Sequence, residues 1–150
     1  MTLRFAPLVL LAGALAHAQD GAPTLTPAEK EFQQSLSGVT LNGHSTKQNG
    51  SGVTDETYGI EKVTKLKDGL WRFDARIQFG GHDVKMPVEL EVKWAGDTPV
   101  ITLTDKPVAG LGSYTVRLVI YRGQYAGTWS GANGHGGQMF GRIVKSSQSR

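Results

Sequence analysis

Two neighbouring stretches decide how this chain folds: Leu70-Trp71-Arg72-Phe73-Asp74-Ala75-Arg76-Ile77-Gln78-Phe79, and Val84-Lys85-Met86-Pro87-Val88-Glu89-Leu90-Glu91-Val92-Lys93-Trp94. In the first, Trp71, Phe73, Ala75, Ile77 and Phe79 share one parity, while Arg72, Asp74, Arg76 and Gln78 share the other. In the second, Val84, Met86, Val88, Leu90, Val92 and Trp94 alternate with Lys85, Pro87, Glu89, Glu91 and Lys93. A strand turns successive side chains to opposite faces, so this period of two predicts half-buried antiparallel strands. Gly80-Gly81-His82-Asp83 between them is a hairpin connection of residues that tolerate positive φ. Centring the turn on Gly81-His82 pairs Phe79 with Val84, Ile77 with Met86, Ala75 with Val88, Phe73 with Leu90 and Trp71 with Val92, and sets Arg72 against Glu91. A slip of one residue sets apolar against charged along the whole ladder.

The same period, less cleanly, predicts strands over Val39–Lys47, Thr57–Leu66, Val100–Thr104 (ending before Pro107), Tyr114–Arg122, Tyr125–Ser130 and Met139–Lys145. Gly123-Gln124 is the expected turn of the penultimate hairpin, facing Leu118 to Trp129 and Ile120 to Gly127. Upstream, Thr26-Pro27-Ala28-Glu29 has the form of a capping box with proline at the first helical position. It predicts a helix from Pro27 to about Leu36, packed through Phe32 and Leu36 and ended near Gly38. The fold class is therefore all-β: about eight antiparallel strands in an up-and-down barrel with one short N-terminal helix. Closure removes the exposed edges of an open sheet. A two-sheet β-sandwich is the alternative.

Residues 1–18 read as a signal peptide. Arg4 supplies the positive n-region, Phe5 to Ala14 the apolar core, and Ala16-His17-Ala18 the small-x-small cleavage site before Gln19. Residues 19–38 form a leader and the short helix, 39–145 the barrel domain, and 146–150 a flexible tail. An exported location follows, periplasmic or extracellular. The apolar run is too short for a spanning helix, which needs about 20 residues. The charged alternate faces argue against a barrel embedded in an outer membrane. The chain of 150 residues carries no cysteine, which excludes a disulfide scaffold and a thiolate metal site. Its 16 basic and 13 acidic residues give a net charge of +3, which falls to +2 once the leader takes Arg4 away. Basic and acidic residues are interspersed, as in Glu61-Lys62 and Lys67-Asp68, where a nucleic-acid binder clusters its basic residues.

Three segments, Leu70 to Ile77, Trp94-Ala95-Gly96-Asp97-Thr98-Pro99-Val100-Ile101 and Tyr125-Ala126-Gly127-Thr128-Trp129, resemble a group of small exported bacterial proteins of uncharacterised activity. More remotely, Gly127-Thr128-Trp129 is similar to the Gly-x-Trp strand of the lipocalin and avidin barrels. There the motif stands on the first strand; here it stands near the last. The likeness implies barrel architecture and assigns no activity.

No catalytic constellation emerges. His44 and Ser45 are adjacent and point to opposite faces of a strand, so they cannot act as a pair. Glu89 and Glu91 share a face with compensating Lys85 and Lys93. His44, His82 and His135 lack any local ligand spacing, so no metal and no cofactor is expected. Gly131-Ala132-Asn133-Gly134-His135-Gly136-Gly137 resembles a phosphate loop but leads into a strand, not a helix N-terminus. It reads as a hairpin loop at a barrel mouth.

The aromatic residues carry the functional expectation. Trp71, Phe73, Phe79, Trp94 and Trp129 are expected to face the interior, with Tyr114 near the rim and His135 in the mouth loop. Such a lining suits a small hydrophobic or amphipathic ligand held without catalysis. The alternative is a structural or interaction module of the cell envelope, binding an envelope protein through its outer face or the 27–36 helix. Neither reading involves nucleic acid.

Overall fold

The computed structural model describes residues 21–146, apart from 51, 80, 109 and 111. The expected signal peptide and the tail beyond Ser146 lie outside the described residues. One helix precedes eight strands: α1 (Pro27–Leu36), β1 (Val39–Thr46), β2 (Val53–Lys67), β3 (Leu70–Phe79), β4 (His82–Ala95), β5 (Thr98–Val108), β6 (Gly112–Tyr121), β7 (Gln124–Gly131) and β8 (Gly136–Lys145). Each strand pairs antiparallel with the next, and β8 returns to β1, so the sheet is a closed up-and-down barrel. Connections therefore alternate between two ends. Those after β2, β4 and β6 lie beside α1, and those after β1, β3, β5 and β7 lie at the far end.

Both expected hairpin registers move by two residues. Phe79 pairs with His82, Ile77 with Val84, Ala75 with Met86, Phe73 with Val88 and Trp71 with Leu90, while Arg72 meets Glu89 instead of Glu91. Two residues remain between the paired Phe79 and His82, and the second, Gly81, has φ 83°. Likewise Tyr121 pairs with Gln124, so the turn is Arg122-Gly123, Ile120 faces Tyr125 and Leu118 faces Gly127. Arg122 and Gly123 both take positive φ, 46° and 71°, as a type I′ turn requires. These two-residue turns match the right-handed twist of the flanking strands, and they outweigh the alternatives that the hydrophobic pattern permits equally well. A shift of two keeps every side chain on its face.

The helix forms as its capping residues dictate. The Thr26 N–H donates to Glu29 Oε2 at 2.9 Å, and the Glu29 N–H donates to Thr26 Oγ1 at 3.3 Å. The other Glu29 oxygen lies 2.7 Å from Lys65 Nζ, so the capping carboxylate also ties the helix to the barrel rim. Burial pushes the Glu29 carboxyl up, but the Lys65 and Thr26 donors outweigh it and hold the group below its usual value. Phe32 and Leu36 are buried, and Phe32 sits edge-on to Trp71, Phe73 and Trp94 at 5.1, 6.2 and 5.8 Å between centroids. Burying a ring of this kind contributes about 1.5–3 kcal/mol. Helix α1 is thus the stopper of one barrel end. The Ser146 N–H donates to the Gly38 carbonyl at 3.0 Å, closing the end of β8 onto the helix exit.

Strand β5 does not end before Pro107; it runs through Pro107 to Val108. A bulge accommodates the change of course, with Thr104 and Asp105 opposite Thr115 alone. Asp105 takes φ 47°, and the Thr115 hydroxyl accepts from the Asp105 N–H at 3.0 Å and donates to Asp105 Oδ1 at 3.1 Å. The barrel seam between β4 and β5 is short. Only Glu91–Ala95 pair with Thr98–Thr102, so the strands part company toward the far end. A depression of about 270 Å³ occupies this split, lined by Met86, Pro87, Val88, Lys106, Pro107 and Val108 among others.

Candidate functional site: the open half of the barrel

The two halves of the interior differ in closure. Inward residues toward the helix end, including Val63, Trp71, Phe73, Val92, Ile101, Leu118 and Ile120, are buried. Inward residues toward the far end, including Tyr58, Ile77, Val84, Met86, Val88, Tyr114, Val116 and Trp129, each keep part of their surface accessible. Helix α1 covers the first group, and among the described residues no comparable element covers the second.

The candidate residues divide along this line. Trp71 and Phe73 are 0% and 2% exposed and lie under Phe32, with Trp94 partly buried on the same ring cluster. These three form the packed floor of the barrel. Tyr114 and Trp129 come together at the far end, 6.4 Å between centroids. His135 is exposed in the β7–β8 loop, where its carbonyl accepts from the Gly131 N–H at 2.7 Å. Phe79 ends β3 beside the turn; its side chain lies outside the described residues. The three histidines are not gathered. His44 stands on the outer face of β1 with Nδ1 2.9 Å from Asp55 Oδ1, and His82 opens β4.

The open half also holds residues that the sequence reading overlooked. Glu56, on β2, is only 5% exposed, and its Oε2 accepts from the Tyr58 hydroxyl at 2.9 Å. Burial pushes the Glu56 carboxyl up; Tyr58, Ser45 and the charge of His44 oppose this without cancelling it. Burial likewise pushes the Tyr58 phenol far up, and the neighbouring Glu56, Tyr125 and Tyr114 push the same way. The Tyr125 phenol is raised by burial and by Glu56. The Glu56 carboxyl and the Tyr58 and Tyr125 phenols therefore lie within electrostatic reach of one another, with Tyr114 in reach of Tyr58.

Glycines on the wall make this arrangement possible. A Cβ at Gly43 would run into the Tyr125 hydroxyl and the Phe140 carbonyl, and one at Gly141 would run into the Tyr125 ring and the Asn42 carbonyl. Tyr125, rooted near the helix end, thus lies flat along β8 and β1 and brings its hydroxyl to the strand pair that carries Glu56. A Cβ at Gly137 would stand 3.1 Å from Trp129 Nε1, so that indole also rests on bare backbone. Glu56 Oε1, Tyr125 OH and Trp129 Nε1 are buried without a protein hydrogen-bond partner. A fourth such atom, Trp71 Nε1, lies in the packed floor. Buried polar groups are nearly always paired, so three orphans on inward side chains of the open half mark a place for polar atoms from outside the chain.

Outside, β6, β7, β8 and β1 form a broad groove of about 700 Å³. Val119, Tyr121, Phe140 and Val144 remain 41–52% exposed along it. Among the described residues no helix is long and apolar enough to cross a membrane. Comparison with protein-family models, with curated proteins and with solved structures finds no match.

Proposed function

We propose that this chain is an exported, non-enzymatic β-barrel that binds a small amphipathic molecule in the half of the barrel opposite α1. The observation that carries this reading is the trio of buried, unpaired polar atoms on Glu56, Tyr125 and Trp129. They stand among apolar inward residues that remain partly accessible. Pockets for small ligands combine an apolar lining with a few polar groups, and the partly accessible apolar residues and unpaired polar atoms of this end support that reading. Its approach is the far-end mouth, bordered by the 131–137 loop and by the split between β4 and β5. Export is supported by the leader pattern of residues 1–18. Titration of intrinsic Trp fluorescence with fatty acids, flavonoids, haem and amphipathic amines tests the reading, followed by thermal melting. Saturable quenching with a rise in Tm is expected, because a ligand bound to the native state stabilises it. No response across the panel would reject the proposal.

The exposed apolar row Val119–Ala126–Phe140 favours a second reading, an envelope module that meets a protein partner through its outer face. Phe140→Lys separates the two. It should abolish capture of an envelope partner while leaving ligand-induced quenching intact.

A further inference from the structure

We infer that the polar end of the ligand is a cation, an organic ammonium group seated against Glu56 beside the Tyr58 and Tyr125 side chains, with Trp129 elsewhere in the same open half. This rests on the reading of the open half as a ligand site and specifies the chemistry it selects. Glu56 is nineteen-twentieths buried; the Tyr58 hydroxyl bonds one of its oxygens and the Ser45 hydroxyl lies close by, but both are neutral. A carboxylate taken out of water is costly unless paired, and among the described residues no lysine or arginine forms an ion pair with it. The ion-paired cations lie elsewhere: Lys65 at the helix rim, and Arg72, Arg76, Lys85 and Lys93 on the outer faces. His44, on the outer face and paired with Asp55, acts on Glu56 only from a distance, so a ligand ammonium supplies the direct ion pair that the fold withholds.

The surrounding side chains suit the same group. Tyrosine and tryptophan faces attract cations through their ring quadrupoles, more strongly where water is excluded. The Tyr125 hydroxyl can accept from an ammonium N–H, and the Trp129 N–H asks for an acceptor elsewhere on the same molecule. Ile77, Val84, Met86 and Val88 offer the body of the ligand an apolar wall. The opposing charge to consider is Lys106, which shares a face with Tyr114 but is exposed at the split, on the β5 wall. A carboxylate ligand would be expected to turn to it.

The test compares n-octylammonium, n-octanol and n-octanoate, identical in tail, by calorimetry and Trp fluorescence on the protein and on Glu56→Gln. Glutamine keeps the shape and can accept from Tyr58, and circular dichroism verifies the fold. The expected result is octylammonium binding at least tenfold more tightly than octanol, with the preference lost in Glu56→Gln. Equal or tighter binding of octanol or octanoate overturns the cation while leaving a ligand site. A tenfold preference that survives Glu56→Gln removes Glu56 from the recognition and overturns the inference. If none of the three binds while a bulkier member of the broad panel does, the cation reading alone falls. If nothing binds at all, the ligand site falls with it.

Discussion

Glu56 is placed where burial works against its charge, and its titration should expose the conflict. Its carboxyl is raised from the ordinary 4.5, so the native state holds its proton more tightly than the unfolded chain does. Stability from this residue is fully present below the unfolded value and is lost as pH rises through the folded value. Glu29 acts in the opposite sense: its lowered carboxyl stabilises above 4.5, and that contribution is lost as pH falls. Urea titrations of the wild type and Glu56→Gln should therefore coincide near pH 4 and diverge toward pH 7. The variant should become more stable by about 1 kcal/mol, the scale of one unsatisfied buried group. A difference independent of pH would show that burial does not control this carboxyl. Gly43 is as constrained as Glu56 is strained. Gly43→Ala must displace Tyr125 or the β8 backbone, at about 3 kcal/mol or more, whereas Gly21→Ala meets nothing and should leave the melting temperature unchanged. The site residues were partly legible in advance. Glu56-x-Tyr58-x-Ile60 shares the inward parity of β2, so a glutamate in apolar phase was visible in the chain. Its meaning was not, because the Glu61 bulge shifts the inward set to Val63 and Lys65 and breaks the alternation that would have exposed it.

At the scale of elements, the helix was fully readable because its signals are local: a capping box, a proline at the first turn, and Phe32 and Leu36 four residues apart. The strands were readable as strands but not in register. Alternation specifies which face a residue occupies, and pairings that differ by two residues satisfy it equally. The two-residue connections between Phe79 and His82 and between Tyr121 and Gln124 decide between them, and positive φ at an arginine is not announced by composition. Trp71, Phe73 and Trp94 faced inward as expected, yet the helix uses them as its seat. That contact is tertiary and leaves no local trace. Phe32→Ala should therefore cost about 3–5 kcal/mol, since the vacated volume lies between three large rings that cannot collapse together. Denaturant unfolding measures the loss, and a red shift of Trp emission in the native state should accompany it as water reaches Trp71 and Trp94. An unchanged stability would mean that α1 rests on the barrel without supporting it.

The whole molecule is a cylinder closed at one end and slit at the other, and the slit raises the problem that every unpaired strand poses. Residues 82–90 of β4 and 103–108 of β5 lack each other's hydrogen bonds, which leaves two edges able to template a further strand. Pro87 and Pro107 stand on these edges, both lining the split. A proline brings no N–H to a ladder and is found on edges for that reason. The charged residues Glu89 and Lys106 lie beside them, a second deterrent to pairing. The physical consequence is a mouth that stays open without becoming sticky. Replacing both prolines by valine restores the missing donors and adds β-branched side chains suited to a strand. Two outcomes are then distinguishable by light scattering coupled to size exclusion across a concentration series. If the edges are held apart by the strand geometry itself, the double variant should associate through them, its mass rising with concentration while the wild type's does not. If instead β4 and β5 zip together within one chain, the variant stays monomeric, gains stability and loses the ligand response. An unchanged mass, stability and ligand response would show that the prolines do not guard the slit.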